Sequence, residues 1–361
     1  ILTFITGLSA TSAPLLVGGQ NFQTITPMIL TFANNVSSRP LAALLALFLG
    51  VATIILLTIM IQIEKRGHYM SISKVKTTIV KQKIRNPILN VLAHVYAYLL
   101  FLIYVVPVAL VVLFSFTDSA TIASKHLTLS SFTLDNYISI FQKASSYKPF
   151  VVSIAYSAIA ASFVAIIVLI ACRILQKRKD RLGGALEYGL LIPWLLPTTL
   201  MALGLITTYN TPRVWMFNKV LTGTSVIMLI GYIIIKIPFT LRMTKAAFFS
   251  LDDSLEDAAR NMGAKPFYTF MRVQLPIILP TVLAIFALNF NGLLGDYDMS
   301  VFMYHPLNKP LGVYIKSLTD SETNADNAAL TFVYAVLMMI ISGVVMYLVY
   351  GRGNKVDKSK D

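Results

Sequence analysis

The chain has 361 residues, 56% of them apolar and 13% charged, with a mean hydropathy of +0.72, which excludes a pair of ordinary soluble domains and points to a membrane protein. The formal charge of +14 does not mark a nucleic-acid partner, because the basic residues lie in short blocks between apolar spans, where the positive-inside rule accounts for them. A single cysteine, Cys172, rules out an internal disulfide framework and a cysteine-based metal site.

The chain opens at Ile1 in an apolar run without a starting Met or a basic n-region, as expected of a sequence that begins inside a longer protein. Residues 1–19 are long enough to cross a bilayer but are broken by Pro14 and Gly18-Gly19. Residues 20–40 read as a loop with a helical, partly apolar middle, and 41–63 as an uncharged span. The linker 64–87 carries seven Lys and Arg and marks the cytosolic side. Residues 88–117 cross outward, and 118–148 form an outer loop in which Thr133 to Tyr137 start a short amphipathic helix. Residues 150–172 return to a second basic block, Arg173, Lys177, Arg178, Lys179 and Arg181.

Residues 187–209 cross outward again, bent at Pro193 and Pro197, and 222–239 come back. Lys236 then lies at the inner end of that span, where it snorkels to the interface. Residues 276–303 lead out, 304–326 form the last outer loop, 327–350 return, and 352–361 are a basic tail. With this assignment 22 of the 30 Lys and Arg fall on the cytosolic side, which sets the orientation.

Between the spans ending at 239 and starting at 276 lies a polar island, Ser250 to Pro280, SLDDSLEDAARNMGAKPFYTFMRVQLPIILP. Ser250 with Asp253, and Ser254 with Asp257, fit the Ser-x-x-acid cap of a helix N-terminus. Leu255, Ala258, Ala259 and Met262 follow at i, i+3, i+4 and i+7, one apolar stripe, with Glu256, Asp257, Arg260 and Asn261 on the other face. Gly263 suits a left-handed stop, and Pro266 prevents the helix from resuming. Such a helix either covers its own protein or offers its stripe to a partner.

The chain also repeats. At a constant offset of 285, Gly7-Leu8 falls on Gly292-Leu293, Pro27 on Gly312, and residues 41–60 on 326–345.

Asp257-Ala258-Ala259, three residues, Gly263, nine residues, then Val273-Gln274-Leu275-Pro276 resembles the EAA loop of ABC importer permeases. Asp257 for Glu and Val273 for Ile depart from the family pattern. The resemblance implies an all-α integral membrane protein of the type I importer class: the last two spans of a preceding half (1–63), the basic linker (64–87), a complete six-span half (88–351) with its coupling loop at 250–276, and a cytosolic tail (352–361). It further implies that Glu256, Asp257, Ala258, Ala259, Gly263, Leu275 and Pro276 couple the permease to a cytosolic ABC ATPase dimer, which binds ATP and Mg. The resemblance implies too that an extracytoplasmic solute-binding protein delivers the solute and that the chain lies among lipid in the inner membrane. The fused layout and the run from Gly292 to Phe302 resemble ferric-iron permeases most, with polyamine, thiamine and phosphonate permeases as relatives.

Asp296, Tyr297, Asp298 and Tyr304 stand near the outer end of a span, with His305 beside them. They suit either a solute pathway or the interfacial close of the span. No metal site is expected in the chain itself. Walker-type, His-Glu-x-x-His, paired-Cys and Gly-x-Ser-x-Gly motifs are missing, so no catalytic residue is expected. The rival reading, an ion-coupled secondary transporter or channel, calls for acids at the bilayer midplane, and the spans between residues 88 and 235 hold only Glu187, at one edge.

Overall fold

A chain crossing lipid must satisfy its backbone hydrogen bonds within the segment, and here helices do so. The computed structural model describes residues 7, 10–18, 22–66, 84–124, 126–178, 180–212, 214, 218–252, 254–320 and 326–351. Residues 1–6, 8, 9 and 19 of the first expected span therefore lie outside the described residues, as do 67–83 of the linker and the tail from 352.

In chain order the principal helices are α1 (Ile25–Asn34), α2 (Arg39–Arg66), α3 (Pro87–Ser115), α4 (Asp135–Gln142), α5 (Ala144–Lys177), α6 (Arg181–Leu191), α7 (Thr198–Tyr209), α8 (Ser225–Phe249) and α9 (Ser254–Asn261). They continue with α10 (Pro266–Leu294), α11 (Ser300–Met303), α12 (Leu311–Asp320) and α13 (Asp326–Tyr350). Among the described residues six helices are long and apolar enough to cross a membrane, or seven counting α6 and α7 as one broken span. That pair bends by 105° through a 3-10 turn at Ile192–Leu195, and Pro197 caps α7. The two prolines remove backbone donors where the chain turns.

Several boundaries differ from the sequence expectation, among them the start of α6 at Arg181 rather than 187 and the end of α10 at Leu294 rather than 303. α5 begins at Ala144 rather than 150, with Pro149 inside it. α8 runs to Phe249 rather than 239, because the charges beyond 239 find partners: Lys245 pairs with Glu187, and Arg242 lies 5.0 Å over the Trp194 ring. α10 begins at Pro266, so Pro266 opens a helix as its first residue rather than only blocking one.

The chain divides into two compact units. Ile1–Thr58, Tyr147–Lys316 and Ile340–Asp361 form the first. Its core has an outer cluster around Tyr156, Ala202, Met228, Tyr232, Leu293 and Met299, and an inner one around Val168, Cys172, Leu241, Phe248 and Ile278. α8 and α10 supply both clusters, and the Asn289 amide donates to Thr240 Oγ1 at 2.7 Å between them. The second unit is Ile59–Ser146 with Ser317–Met339. There Phe114 packs on Phe332, and the Tyr334 hydroxyl donates to the Ser146 carbonyl at 2.7 Å.

Moved by the offset of 285, α1 falls on 310–319, one residue from α12 at Leu311–Asp320.

Candidate functional site

α9 is held to the membrane helices by one part-buried polar knot. Arg173, on the last turns of α5, donates from Nη1 and Nη2 to the two carboxylate oxygens of Glu256, each at 3.0 Å. Nη1 also reaches Gln274 Oε1 at 2.9 Å, and Gln274 Nε2 donates back to Glu256 at 3.1 Å. Lys177 adds an ion pair at 3.3 Å. Side-chain exposure is only 15% at Arg173 and 18% at Glu256, so this fork is shielded and geometrically fixed, unlike a surface pair. The hydrogen bond from Arg173 is the chief cause that holds the Glu256 carboxyl at about 2, against 4.5 ordinarily, with burial opposing it. Phe270, stacked on Phe248 at 6.2 Å, lies under the guanidinium.

Glu256 therefore faces inward, although the heptad-like pattern puts it on the polar outer face. Arg173, read from sequence as a topology marker, and Gln274, a variable position of the motif, are the residues that sequence reasoning missed. No local pattern links positions so far apart.

Only one residue of the stripe packs on the protein itself. Ala259 is buried at 3% exposure, whereas Leu255, Ala258 and Met262 are exposed, Met262 at 81%. Asp257 is exposed and pairs with Arg260 at 3.6 Å, a screened surface contact. A cleft of about 350 Å³ beside α9 is lined by Gln176, Lys177, Glu256, Asp257 and Arg260. Gly263 ends α9 at φ +81°, and the N–H groups of Gly263 and Ala264 close on the carbonyls of Arg260 and Ala259.

The start of α9 differs from expectation. Ser250 donates to the Ala247 carbonyl and so closes α8 instead of capping α9. Ser254 is the first residue of the helix, and its N–H is taken by Asp252 Oδ1 at 2.9 Å. Asp253 lies outside the described residues.

Leu275 and Pro276 sit within α10, immediately after a π turn at Phe270–Gln274. Pro276 would press its ring on the carbonyl four residues back in a regular helix, and the wider turn relieves that clash.

Of the pathway candidates, Asp296 accepts from the N–H groups of Met299 and Ser300 at 3.2 and 3.0 Å and opens α11. Tyr297 and Asp298 are half-buried beside it, and Tyr304 packs on the outer core cluster. His305 is used locally, its Nδ1 accepting from the Leu307 N–H. Among the described residues no three His, Cys, Asp or Glu converge as metal ligands. Lys236 is not at the inner end of its span: it lies eleven residues from the first and thirteen from the last residue of α8.

The helical bundle, with one short helix anchored at its end and exposed along its stripe, is that of a multi-pass membrane protein. The chain belongs to the binding-protein-dependent transport system inner membrane component family, whose model matches residues 164–354. It is 36% identical over 350 residues to a protein of Sinorhizobium fredii named as an ABC transporter permease, covering 96% of this chain and 61% of that one. The chain thus spans less than two thirds of that relative. A Salmonella typhimurium protein named for a 2-aminoethylphosphonate transport system is 24% identical over 59% of this chain and 78% of its own length. A Haemophilus influenzae protein named as a Fe(3+)-transport system permease is 30% identical over 35% of this chain and 24% of its own length. The fold is similar to a bacterial ABC transporter involved in alginate import, with a TM-score of 0.60 and 16% identity over 75% of this chain and 96% of the other. The chain is an ABC importer permease by class.

Proposed function

We propose that this chain is the permease subunit of an ATP-driven, binding-protein-dependent importer of the inner membrane, and that α9 with the turn at Gly263 docks in a cytosolic ATPase dimer. ATP and Mg are bound by that partner, and an extracytoplasmic binding protein supplies the solute. One observation carries the coupling: α9 is fastened through Glu256 on one side while Leu255, Ala258 and Met262 stay uncovered on the other. A helix so fastened transmits displacement to α5 and α10 instead of bending away. Asp257, Ala258 and Gly263 form the docking side, Ala259 is buried behind them, and Leu275 and Pro276 carry motion along α10.

For the solute two readings stand. The run from Gly292 to Phe302 and the relative named for Fe(3+) transport favour ferric iron. Relatives named for 2-aminoethylphosphonate and sulfate favour an oxyanion.

The test is ATP hydrolysis in liposomes by the full-length permease purified with its ATPase, with and without loaded binding protein. Stimulation in the wild type, lost in Gly263→Pro and Asp257→Lys, is the expected result. Failure of an ATPase to associate, with solute still crossing, would overturn the reading.

A further inference from the structure

Lys236 stands mid-way along α8, roughly 17 to 20 Å from either end at 1.5 Å per residue. Its ammonium reaches α10 through a gap in that helix: a Cβ on Gly292 would lie 2.8 Å from Nζ. Gly292 is itself exposed, so the ammonium stands at an open surface of α10. Among the described residues Lys236 makes no side-chain hydrogen bond and no ion pair within 4.0 Å, and its electrostatic counterpart is Asp296.

Several nearby polar groups are already engaged. Asp296 Oδ2 is held by the N–H groups of Met299 and Ser300, and Asp298 has its own partner. Thr240 Oγ1 donates to the Lys236 carbonyl and accepts from Asn289. The Tyr232 hydroxyl, on the same face one turn outward, is buried beside Asp296 and Ser300 without meeting the geometry of a hydrogen bond to either. An ammonium at this depth is costly against lipid and is normally turned to a polar cavity. The Gly292 gap turns it towards the exposed face of α10.

We infer that Lys236 is a solute contact in the pathway, so that the transported solute carries an oxyanion group of the sulfate, phosphonate or phosphate class. This rests on the importer reading above and adds the solute's chemistry to it. Lys236 supplies the charge, and Asp296 sets its resting position from a distance without quenching it.

The test uses the full-length chain with Cys172→Ser and Gly292→Cys, reconstituted with its ATPase in liposomes, and compares thiol modification by negatively and positively charged methanethiosulfonates. The anionic reagent is expected to react roughly tenfold faster, through concentration by the neighbouring charge. That preference should disappear with Lys236→Gln and persist with Lys236→Arg. Sulfate, 2-aminoethylphosphonate or inorganic phosphate should slow the reaction. Phe239→Cys, exposed and one turn inward of Lys236, gives a second position should Gly292→Cys not assemble.

Absence of reaction at both positions would place this face against lipid or protein and overturn the inference. A preference for the cationic reagent would mean that Asp296 and Asp298 dominate, overturning it in favour of a cationic solute. Anionic preference with no slowing by any of the three anions would reduce Lys236 to a structural charge. Hydrolysis by the same complex is read in parallel: its absence overturns the importer reading, while charge preference in a hydrolysing complex tests Lys236 alone.

Discussion

Arg173 and Glu256, 83 residues apart in the chain, face each other through two parallel hydrogen bonds of 3.0 Å. Removing either partner leaves the other charge half-buried, so Arg173→Met and Glu256→Gln should each cost about 1–3 kcal/mol. The double variant should cost clearly less than the sum, since both remove one interaction. Thermal unfolding in detergent, followed by intrinsic fluorescence, measures all three. Strict additivity would show that the pair is not a unit.

The same pair sets a pH dependence. The Glu256 carboxyl titrates near 2 in the fold and at 4.5 ordinarily. Its contribution to stability is therefore complete above pH 4.5 and is lost as pH falls through about 2. The unfolding temperature of the wild type should exceed that of Glu256→Gln by a constant margin at neutral pH, with the margin closing on acidification. A margin that does not change down to pH 3 would contradict this assignment.

Gly263 is left-handed, yet a Cβ there would meet nothing within 4 Å. Gly263→Ala should thus cost only the backbone term, about 1–2 kcal/mol, with Gly263→Asn costing less. Solute-stimulated hydrolysis and unfolding temperature should fall in the order Gly, Asn, Ala. Equal behaviour of the three would mean that the turn relaxes without its left-handed residue.

Two glycines of the outer bundle should behave differently. At Gly312 a Cβ would lie 2.5 Å from the Asp296 carbonyl oxygen and 2.8 Å from that of Gly295, both fixed backbone. At Gly231 it would meet the Met303 Cε at 2.5 Å, the far end of a flexible chain. Gly312→Ala should lower assembly yield and unfolding temperature markedly, and Gly231→Ala only slightly. The reverse order would argue against the close approach of α12 to the 295–296 backbone.

The hydrogen bond between Asn289 and Thr240 joins α10 to α8 inside the bundle. Asn289→Leu or Thr240→Val should cost roughly 0.5–2 kcal/mol, the range for bonds between membrane helices. The paired substitution should recover part of that loss, as unfolding in mixed micelles would reveal.

Much of the membrane layout was legible because hydrophobic runs and basic blocks alternate in lipid-sized lengths, and because Gly263 has few roles so close behind a short amphipathic stripe. Helix ends were less so. The α8 run looked finished at Phe239 because Arg242 and Lys245 follow, but Trp194 and Glu187, both distant in sequence, allow the helix to carry those charges onward. That extension is also why Lys236 moves from the interface to mid-span. Glu256 shows the complementary failure. Periodicity assigns it to solvent, while Arg173 and Gln274 draw it inward, a preference stored entirely in residues elsewhere.

The π turn at Phe270–Gln274 gives the motif's spacing a rotational meaning. One residue more than a regular turn holds amounts to about 100° about the helix axis. The nine residues between Gly263 and Val273 therefore act as a phase setting. They place Gln274 towards Arg173 and Glu256 while delivering Pro276 and the rest of α10 at the angle from which Asn289 meets α8. Straightening that turn would preserve every side chain and still leave the cytosolic and membrane ends of one helix pointing in mismatched directions.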